Sequence, residues 1–376
     1  MLVLVLNPGS SSLKYQLRKD PSPANDPDIL LDCAVEGPPA RVAIAAAFNE
    51  IYSEVHNIVD ERPLDAIGHR VVHGGERFTG PVLVTGDVMA AIEDLAPLAP
   101  LHNAASAACM RAAASRWPGT PQVAVFDTAF HRTLPEHAFR YALPKDLLAE
   151  HPIRRYGFHG ISVERASRDT ASFLRLPAWS LNAIVAHLGS GASVTAVRDG
   201  RSVDTSMGMT PVEGLVMGTR SGDLDPSIVT LLQRRGLGPD EVDELLNQRS
   251  GLLGLSGSAD MRTVQDAAQH GDPAADLALD MAAYRLAKYI AGYNMVVGGA
   301  HALVFTGAIG EHSGPFRSRV LSWLAPLGLG IDEGKNCAPH QGIRVISSTE
   351  STFPVLVVPC DEERAIAEAA AALLDD

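Results

Sequence analysis

Four short clusters hold the residues best suited to chemistry. GHRVVHGGERF places Arg70 in an apolar, strand-like run that ends at Gly74-Gly75. FDTAFH sets Asp127 directly behind the run Val123–Phe126. RRYGFHG carries Arg155, Phe158 and His159, and MTPVEGLVMGTRSGDLDP carries Pro211, Arg220 and Asp225. Each has an ordinary structural reading: an ion-paired strand arginine, a carboxylate capping the next segment, a hydrogen-bonded core histidine, a tight Gly-Thr-Arg turn. Together they offer two arginines, a histidine and a carboxylate. That set fits phosphoryl transfer, where catalysis is positioning plus neutralisation of the equatorial oxygens.

Two further stretches say nearly the same thing and point the same way. LVLVLNPGSSSLKYQL runs from Leu2 to Leu17, and AIVAHLGSGASVTAV from Ala183 to Val197. Each is an apolar run, a Gly/Ser tip and a second alternating run, which reads as a β-hairpin. Small-residue tips leave backbone N–H groups and hydroxyls free to meet phosphate. Their repetition half a chain apart implies two related halves gripping a nucleotide's phosphates. The familiar nucleotide motifs are missing, because GSSSLK is too short for a GxxxxGK[ST] loop and no GxGxxG follows a strand. A divalent ion beside the phosphates would need oxygen ligands, which Asn7, Asp127 and the carboxylates of CDEE (Asp361, Glu362, Glu363) can supply. VFTGAIGEHS, residues 304–313, adds a strand-to-Gly turn suited to close approach of a ribose or adenine.

These groups must be positioned by strands and helices in alternation. Ala66–Val72, Gln122–Phe126, Ala183–His187, Ala302–Thr306 and Pro354–Pro359 read as strands, and Asp276–Val297 and Glu362–Leu374 as helices. Such alternation marks α/β layers, with functional groups at strand ends. Asp20–Asp28, rich in Pro and Asp, reads as an exposed loop, and a break is expected near His131–Pro144. The final helix is expected to pack back on the first half. At 376 residues the chain suggests two or three domains. A net charge of −13 argues against a nucleic-acid-binding surface. No stretch approaches membrane-span length, and Leu2–Leu6 is too short for a signal peptide. The four cysteines are far apart, which suits reduced thiols. A cytoplasmic location with no membrane partner is the expectation.

The motifs NPGSSSLKYQL, GHRVVHGGERFT, LAPLHN, FDTAFH, RRYGFHGIS, HLGSGASV, DTSMGMTPVEGLVMGTRSGDLDP and VFTGAIGEHS occur in the order found in the acetate kinases. The chain resembles that family from end to end. The resemblance implies a two-domain, duplicated actin-like (ribonuclease H-like) α/β fold with nucleotide in the interdomain cleft. The expected domains are 1–131 with 364–376, and 132–363, the latter holding most nucleotide contacts and the interface of a homodimer. The implied reaction is reversible phosphoryl transfer from ATP to acetate, giving acetyl phosphate and ADP, with Mg²⁺ (Mn²⁺ as an alternative).

The resemblance also assigns roles. Arg70 and Arg220 would flank the acetate carboxylate and the transferring phosphoryl, His159 would donate to the phosphoryl oxygens, and Asn7, Asp127 and Glu362 would organise the metal. Ser10, Ser12 and Lys14 match the first phosphate loop; His187, Leu188, Gly189, Ser190 and Gly191 match the second. Val72, Leu101, Phe158 and Pro211 match the acetate methyl pocket. Asp260, Met261 and Arg262 match residues beside the adenine, with Ala308, Ile309, Gly310 and His312 in the adenosine turn. Ser190, Val163, Met261, Ala308, His312 and Asp361 depart from the usual pattern, chiefly on the adenosine side. A carboxylate acceptor is already ionised at neutral pH and needs no general base, unlike a sugar hydroxyl. A propionate or other short-chain carboxylate kinase is the alternative; a non-catalytic or chaperone-like member of the superfamily and a sugar kinase are weaker readings.

Overall fold

A computed structural model describes residues 1–9, 12–19, 28–36, 41–59, 62–339 and 341–375. The chain forms two compact units. The first holds Met1–Arg132, Phe158–Arg165 and Asp361–Asp376; the second holds Thr133–Gly157 and Ala166–Cys360. Phe158–Arg165, which a boundary at 131/132 assigns to the C-terminal domain, clusters with the first unit.

The first sheet contains β1 (Leu2–Pro8), β2 (Ser12–Lys19), β3 (Asp28–Glu36), β4 (Ala66–Val71), β5 (Val82–Leu83) and β6 (Gln122–Phe126), in the order β3-β2-β1-β4-β6-β5. The second contains β7 (Ala183–Leu188), β8 (Ala192–Arg198), β9 (Arg201–Thr205), β10 (Ala302–Thr306), β11 (Arg344–Val345) and β12 (Val355–Val357), ordered β11-β12-β10-β7-β8-β9. Read from the opposite edge, the second order repeats the first. In each unit an antiparallel three-strand meander is followed by two parallel strands and closed by a two-residue antiparallel edge strand. This is the duplicated actin-like architecture, and both Gly/Ser hairpins lie at the same place in it.

The sequence pattern explains the layers. β1 is buried along its whole length because helices cover both its faces, so it reads as an unbroken apolar run. Leu2, Leu4 and Leu6 pack with Ile44, Phe48 and Ile51 of the helix Arg41–Val59. Val3 and Val5 pack with Ile366, Ala367 and Ala370 of the helix Glu362–Asp375, the final helix expected on this half. Gly68 lets that helix approach, since a Cβ there would press on Ile366. In the second unit the helix Pro273–Val296 lies against β7 and β8 with an alanine-rich buried stripe. It starts three residues before the expected Asp276, because the Asp272 carboxylate caps Ala274 and Ala275 and Pro273 occupies the first turn.

β3, β5, β9 and β11 went unread in the sequence. They are short or exposed edge elements without a continuous apolar run. Of the expected 20–28 loop, residues 20–27 lie outside the described residues, and Asp28 already belongs to β3. The strand expected over Pro354–Pro359 narrows to β12, since proline ends supply no N–H to a ladder. All four cysteines are free. Among the described residues no helix is long and apolar enough to cross a membrane.

Candidate active site

In the first unit, polar groups converge at the ends of β1, β4 and β6. Asn7 lies near the end of β1, Arg70 near the end of β4, and Asp127 immediately after β6. Arg70 donates from Nε and Nη2 to the Asp127 carboxylate, at 3.1–3.2 Å and 2.6 Å, and from Nη1 to Asn7 Oδ1 at 3.1 Å. Asn7 Nδ2 donates to Glu363 Oε1 at 2.9 Å and Glu362 Oε2 at 3.4 Å. Burial pulls the Arg70 guanidinium down, but the charges of Asp127 and Glu362 outweigh it and raise its pKa, so it stays protonated. Burial pushes the Asp127 carboxyl up, opposed by Arg70 and by a hydrogen bond from the His159 backbone.

The histidine segment is fastened to the same strand end. Gly160 N donates to Asp127 O at 2.8 Å, and a side chain at Gly160 would collide with that oxygen. His131, held neutral because burial lowers its pKa to about 4, donates from Nε2 to Phe158 O at 2.9 Å. Between these anchors His159 adopts φ 58°, a left-handed conformation unfavourable for a residue with a Cβ. Such strain persists only where the surroundings over-determine it, and it clusters at functional sites. Phe158 is fully buried and meets the edge of the His73 ring at 5.4 Å. Val72 is buried in the same segment.

Asn103 fixes that segment in turn. Its Oδ1 accepts from His73 N at 3.0 Å, and its Nδ2 donates to His73 O and Ile92 O. Leu101 lies in the helix Pro100–Arg116, but its side chain is outside the described residues, as is Ser10. Ser12 and Lys14 stand on β2, with Lys14 exposed and opposite Asn7. At the start of the final helix, Asp361 pairs with the buried Arg18 at 2.6 Å and caps Arg364 N at 3.0 Å. The Asp361 carboxylate thus anchors the turn bearing Glu362 and Glu363.

In the second unit the loop after β9 carries Pro211 and Arg220. Arg155 Nη1 donates to the carbonyls of Thr205, Ser206 and Met207 at 3.0–3.1 Å, while Nη2 pairs with Glu213. The Tyr141 hydroxyl donates to Glu213 and accepts from Met209 N. Asp223 accepts from Gly214 N and Tyr289 Oη, both at 2.8 Å. These bonds hold both ends of the loop. Arg220 itself pairs with no carboxylate among the described residues. Its Nη1 faces Met217 Sδ at 3.8 Å, and burial lowers its pKa. A half-buried guanidinium without a counter-ion is an anion acceptor by chemistry.

The second hairpin closes with Gly189 N donating to Gly191 O at 2.9 Å, and Gly218 N reaches Ser190 O at 3.3 Å. His187 is buried, whereas Ser190 is exposed. An apolar pocket beside this tip is lined by Leu188, Gly189, Met217, Met261, Ile309 and Phe316. It brings the second hairpin tip, the residue before Arg262 and the Gly turn after β10 to one place. Gly310 is buried in that turn and Ala308 is exposed. His312 instead lines a separate cavity with Arg317 and Arg344. Asp260 caps the helix Met261–Gln269 and pairs with the exposed Arg262 at 2.9 Å; that bond comes first among those that lower its pKa to about 2. Sequence reasoning missed Asn103, Glu213 and the Arg18–Asp361 pair as supports. It named Arg155 without its partner, and only the partners, scattered along the chain, reveal its role.

Comparison with known proteins agrees with this geometry. Residues 2–368 match the Acetokinase family. The chain is 55% identical over 385 residues to the acetate kinase of Arthrobacter sp. (strain FB24), covering 100% of this chain and 99% of that protein. It superposes on the crystal structure of Porphyromonas gingivalis acetate kinase with TM-score 0.90 at 40% identity, covering 99% of each chain. A propionate kinase from Francisella tularensis subsp. tularensis SCHU S4 gives TM-score 0.89 at 39% identity, again over 99% of each. With its duplicated sheets, its hairpin tips and its Arg70–Asp127–Asn7 cluster, this chain belongs to the acetokinase family.

Proposed function

We propose that the protein catalyses reversible, Mg²⁺-dependent transfer of the γ-phosphoryl group of ATP to acetate, giving acetyl phosphate and ADP. The observation that carries this reading is the state of Asp127. Both of its oxygens are engaged by Arg70, and the His159 backbone donates to it as well. Although burial raises its pKa, both oxygens are already occupied, which leaves it badly placed to take a proton from an acceptor hydroxyl. A kinase acting on a neutral hydroxyl needs such a base; one acting on a carboxylate, ionised at neutral pH, does not. What that acceptor needs is relief from repulsion by the polyphosphate.

The residues divide that work. Arg70, oriented by Asp127 and Asn7, presents charge to the acceptor carboxylate, and Arg220, held by the Arg155–Glu213 loop clamp, presents charge to the transferring phosphoryl. His159 donates to the phosphoryl oxygens. Val72, Leu101, Phe158 and Pro211 surround the acetate methyl. The hairpin tips, Ser10, Ser12 and Lys14 in one and His187 to Gly191 in the other, hold the phosphates through backbone N–H groups and hydroxyls. Met261 and Ile309 lie beside the adenine, with Asp260, Arg262, Ala308, Gly310 and His312 around the adenosine.

Asn7, Asp127 and the buried Glu362 would organise a hard divalent cation, partly through water, since Arg70 already engages the oxygens of Asp127 and Asn7. Bound Mg²⁺ would supply charge neutralisation at the phosphates, and Mn²⁺ would substitute. The reading also includes a cytoplasmic location and a homodimer. Support for the dimer is an exposed apolar stripe on the helix Pro273–Val296, where Leu277, Met281 and Tyr284 follow one another at helical spacing. Tyr284 stacks edge-on with the exposed Trp323 at 5.0 Å. The domain division 1–131 with 364–376 and 132–363, with most nucleotide contacts in the latter, is part of the same proposal.

Trapping acyl phosphate as its hydroxamate tests the reaction, with acetate, propionate, butyrate, glucose and glycerol as acceptors. Product with acetate above all others is expected. Product from glucose or glycerol and none from the acids would refute it.

A further inference from the structure

The cavity beside His312 borders the turn proposed for the adenosine and has an unusual charge balance. Arg317, on the helix Gly314–Leu324, is 1% exposed. Its Nε and Nη2 donate to Oδ1 and O of Asn336 at 2.8 and 2.7 Å, and Nη1 donates to the carbonyls of Gly310 and Glu311. Arg344, on β11, donates from Nη2 to the same Glu311 carbonyl at 3.2 Å. Two guanidinium groups therefore meet on one oxygen. Neither forms an ion pair with a carboxylate among the described residues.

The nearby acids hydrogen-bond to other groups, although Glu311 also lines the cavity and its charge offsets part of that of the two arginines. The Glu311 carboxylate accepts from the backbone N–H groups of Cys360, at 2.8 Å, and Gly307. Glu333 accepts from Ser318 Oγ and Asn336 Nδ2. Burial and then the neighbouring charge of Arg344 pull the Arg317 pKa down to about 10, so both groups remain cationic at neutral pH. Arg344 Nε is buried with no hydrogen-bond partner. Arg317 also has one N–H left over, since a guanidinium carries five donors and four are used. Leaving such donors unmet is costly, more so for charged groups.

These groups line a cavity of about 280 Å³. That is roughly nine water volumes, more than an isolated oxyanion requires. Pro315, Pro339 and Val357 give it apolar walls beside the two arginines. We propose that this cavity is a binding site for a phosphate monoester on a compact carbon skeleton. Its oxyanion would lie against the half-buried Arg344 guanidinium, with the buried charge of Arg317 behind it, and its carbon portion would lie against the proline walls. Paired guanidinium groups with planar donor forks suit phosphate oxygens. The inference concerns binding alone and does not rest on the reaction proposed above.

The test is thermal denaturation of the full chain titrated with glycerol 3-phosphate, inorganic phosphate or glycerol. Saturating Mg²⁺–ADP is present so that the phosphate loops do not compete. Glycerol 3-phosphate is expected to raise Tm saturably, with an apparent Kd on the order of 1 mM or tighter. Inorganic phosphate should act more weakly and glycerol not at all. Arg344→Met should weaken the response at least about tenfold, since a charge-assisted bond worth roughly 1.5–3 kcal/mol is lost. Ala338→Trp, at the exposed rim, should do the same by filling the mouth without removing a charge, and decides the matter if the first variant folds poorly. No saturable response in the wild type, or an equal response in a folded variant, would overturn the proposal.

Discussion

Replacing Arg70 by alanine separates two kinds of loss that the structure makes unequal. The guanidinium satisfies both oxygens of Asp127 and the side-chain oxygen of Asn7. Asp127 is 1% exposed, so without Arg70 its carboxylate is buried without its ion-pair partner, with the His159 backbone still donating to it. Breaking a buried pair from one side costs about 3–5 kcal/mol, which for a unit of this size corresponds to a Tm fall of roughly 6–20 °C. Protonation of Asp127, whose carboxyl burial already pushes up, will soften that penalty toward acid pH. The catalytic loss is separate: charge stabilisation worth at least about a hundredfold in turnover, or about 2.7 kcal/mol. The double variant Arg70→Ala/Asp127→Asn removes the stranded charge but keeps an acceptor for His159, so it should regain most of the Tm and none of the activity. Arg220→Ala should show the reverse of the single Arg70 change, a comparable loss of turnover with little change in Tm, because no carboxylate is left unpaired. Hydroxamate assays and thermal scans on the four proteins decide it. Near-full activity in folded Arg70→Ala, or activity regained in the double variant, would refute the reasoning.

Glu362→Gln should raise the Mg²⁺ concentration for half-maximal rate by about tenfold or more, from loss of a charged oxygen ligand, with Glu363→Gln changing it much less; equal shifts in a metal titration would mean that the wrong carboxylate has been chosen. His69 and His131 are buried with pKa values lowered by burial to about 4, below the unfolded value near 6.5. The unfolded chain therefore binds more protons in this window, and stability present above pH 6.5 is lost as pH falls toward 4, by roughly 2 kcal/mol per histidine between pH 7 and 5. Urea denaturation across that range should show the fall, and it should shrink in His131→Asn; a flat profile would contradict the neutral assignment. Propionate should be used roughly ten- to two-hundredfold less well than acetate in kcat/KM, the worth of one methylene in a small apolar pocket. Val72→Ala should narrow that gap mainly through KM, and a wild-type preference for propionate would promote the alternative substrate.

The parts legible in the sequence share a property: their signal is local. The hairpins Leu2–Leu17 and Ala183–Val197 could be read because strand, tip and strand are contiguous, and their repetition anticipated two sheets of one topology. Asp127 could be placed because it directly follows an apolar run. Arg70 could be placed in a strand for the same reason. What escaped was pairing across the chain. Arg18 and Asp361 are separated by 343 positions, and nothing near either one announces the other. Asn103 reads as one polar residue in an alanine-rich helix, yet it binds the backbone of the segment that carries Val72 and His73.

The same division shows how charge is distributed around the proposed site. The buried Arg18 meets the Asp361 charge at 2.6 Å, and the turn bearing Glu362 is held by that pair. A carboxylate here without Arg18 would add a fourth negative group to Asp127, Glu362 and Glu363 around one arginine. With Arg18 present, that charge is taken up on the far side of the turn, and Arg70 keeps its bonds to Asp127 and Asn7. In the turn after β10, the side chains of Ala308 and His312 are exposed. The buried members, Gly307 and Gly310, stay glycine, Gly307 at φ 78° against the backbone of Leu188. Positions that contact backbone or hold charge are constrained by physics; those facing outward are free to vary.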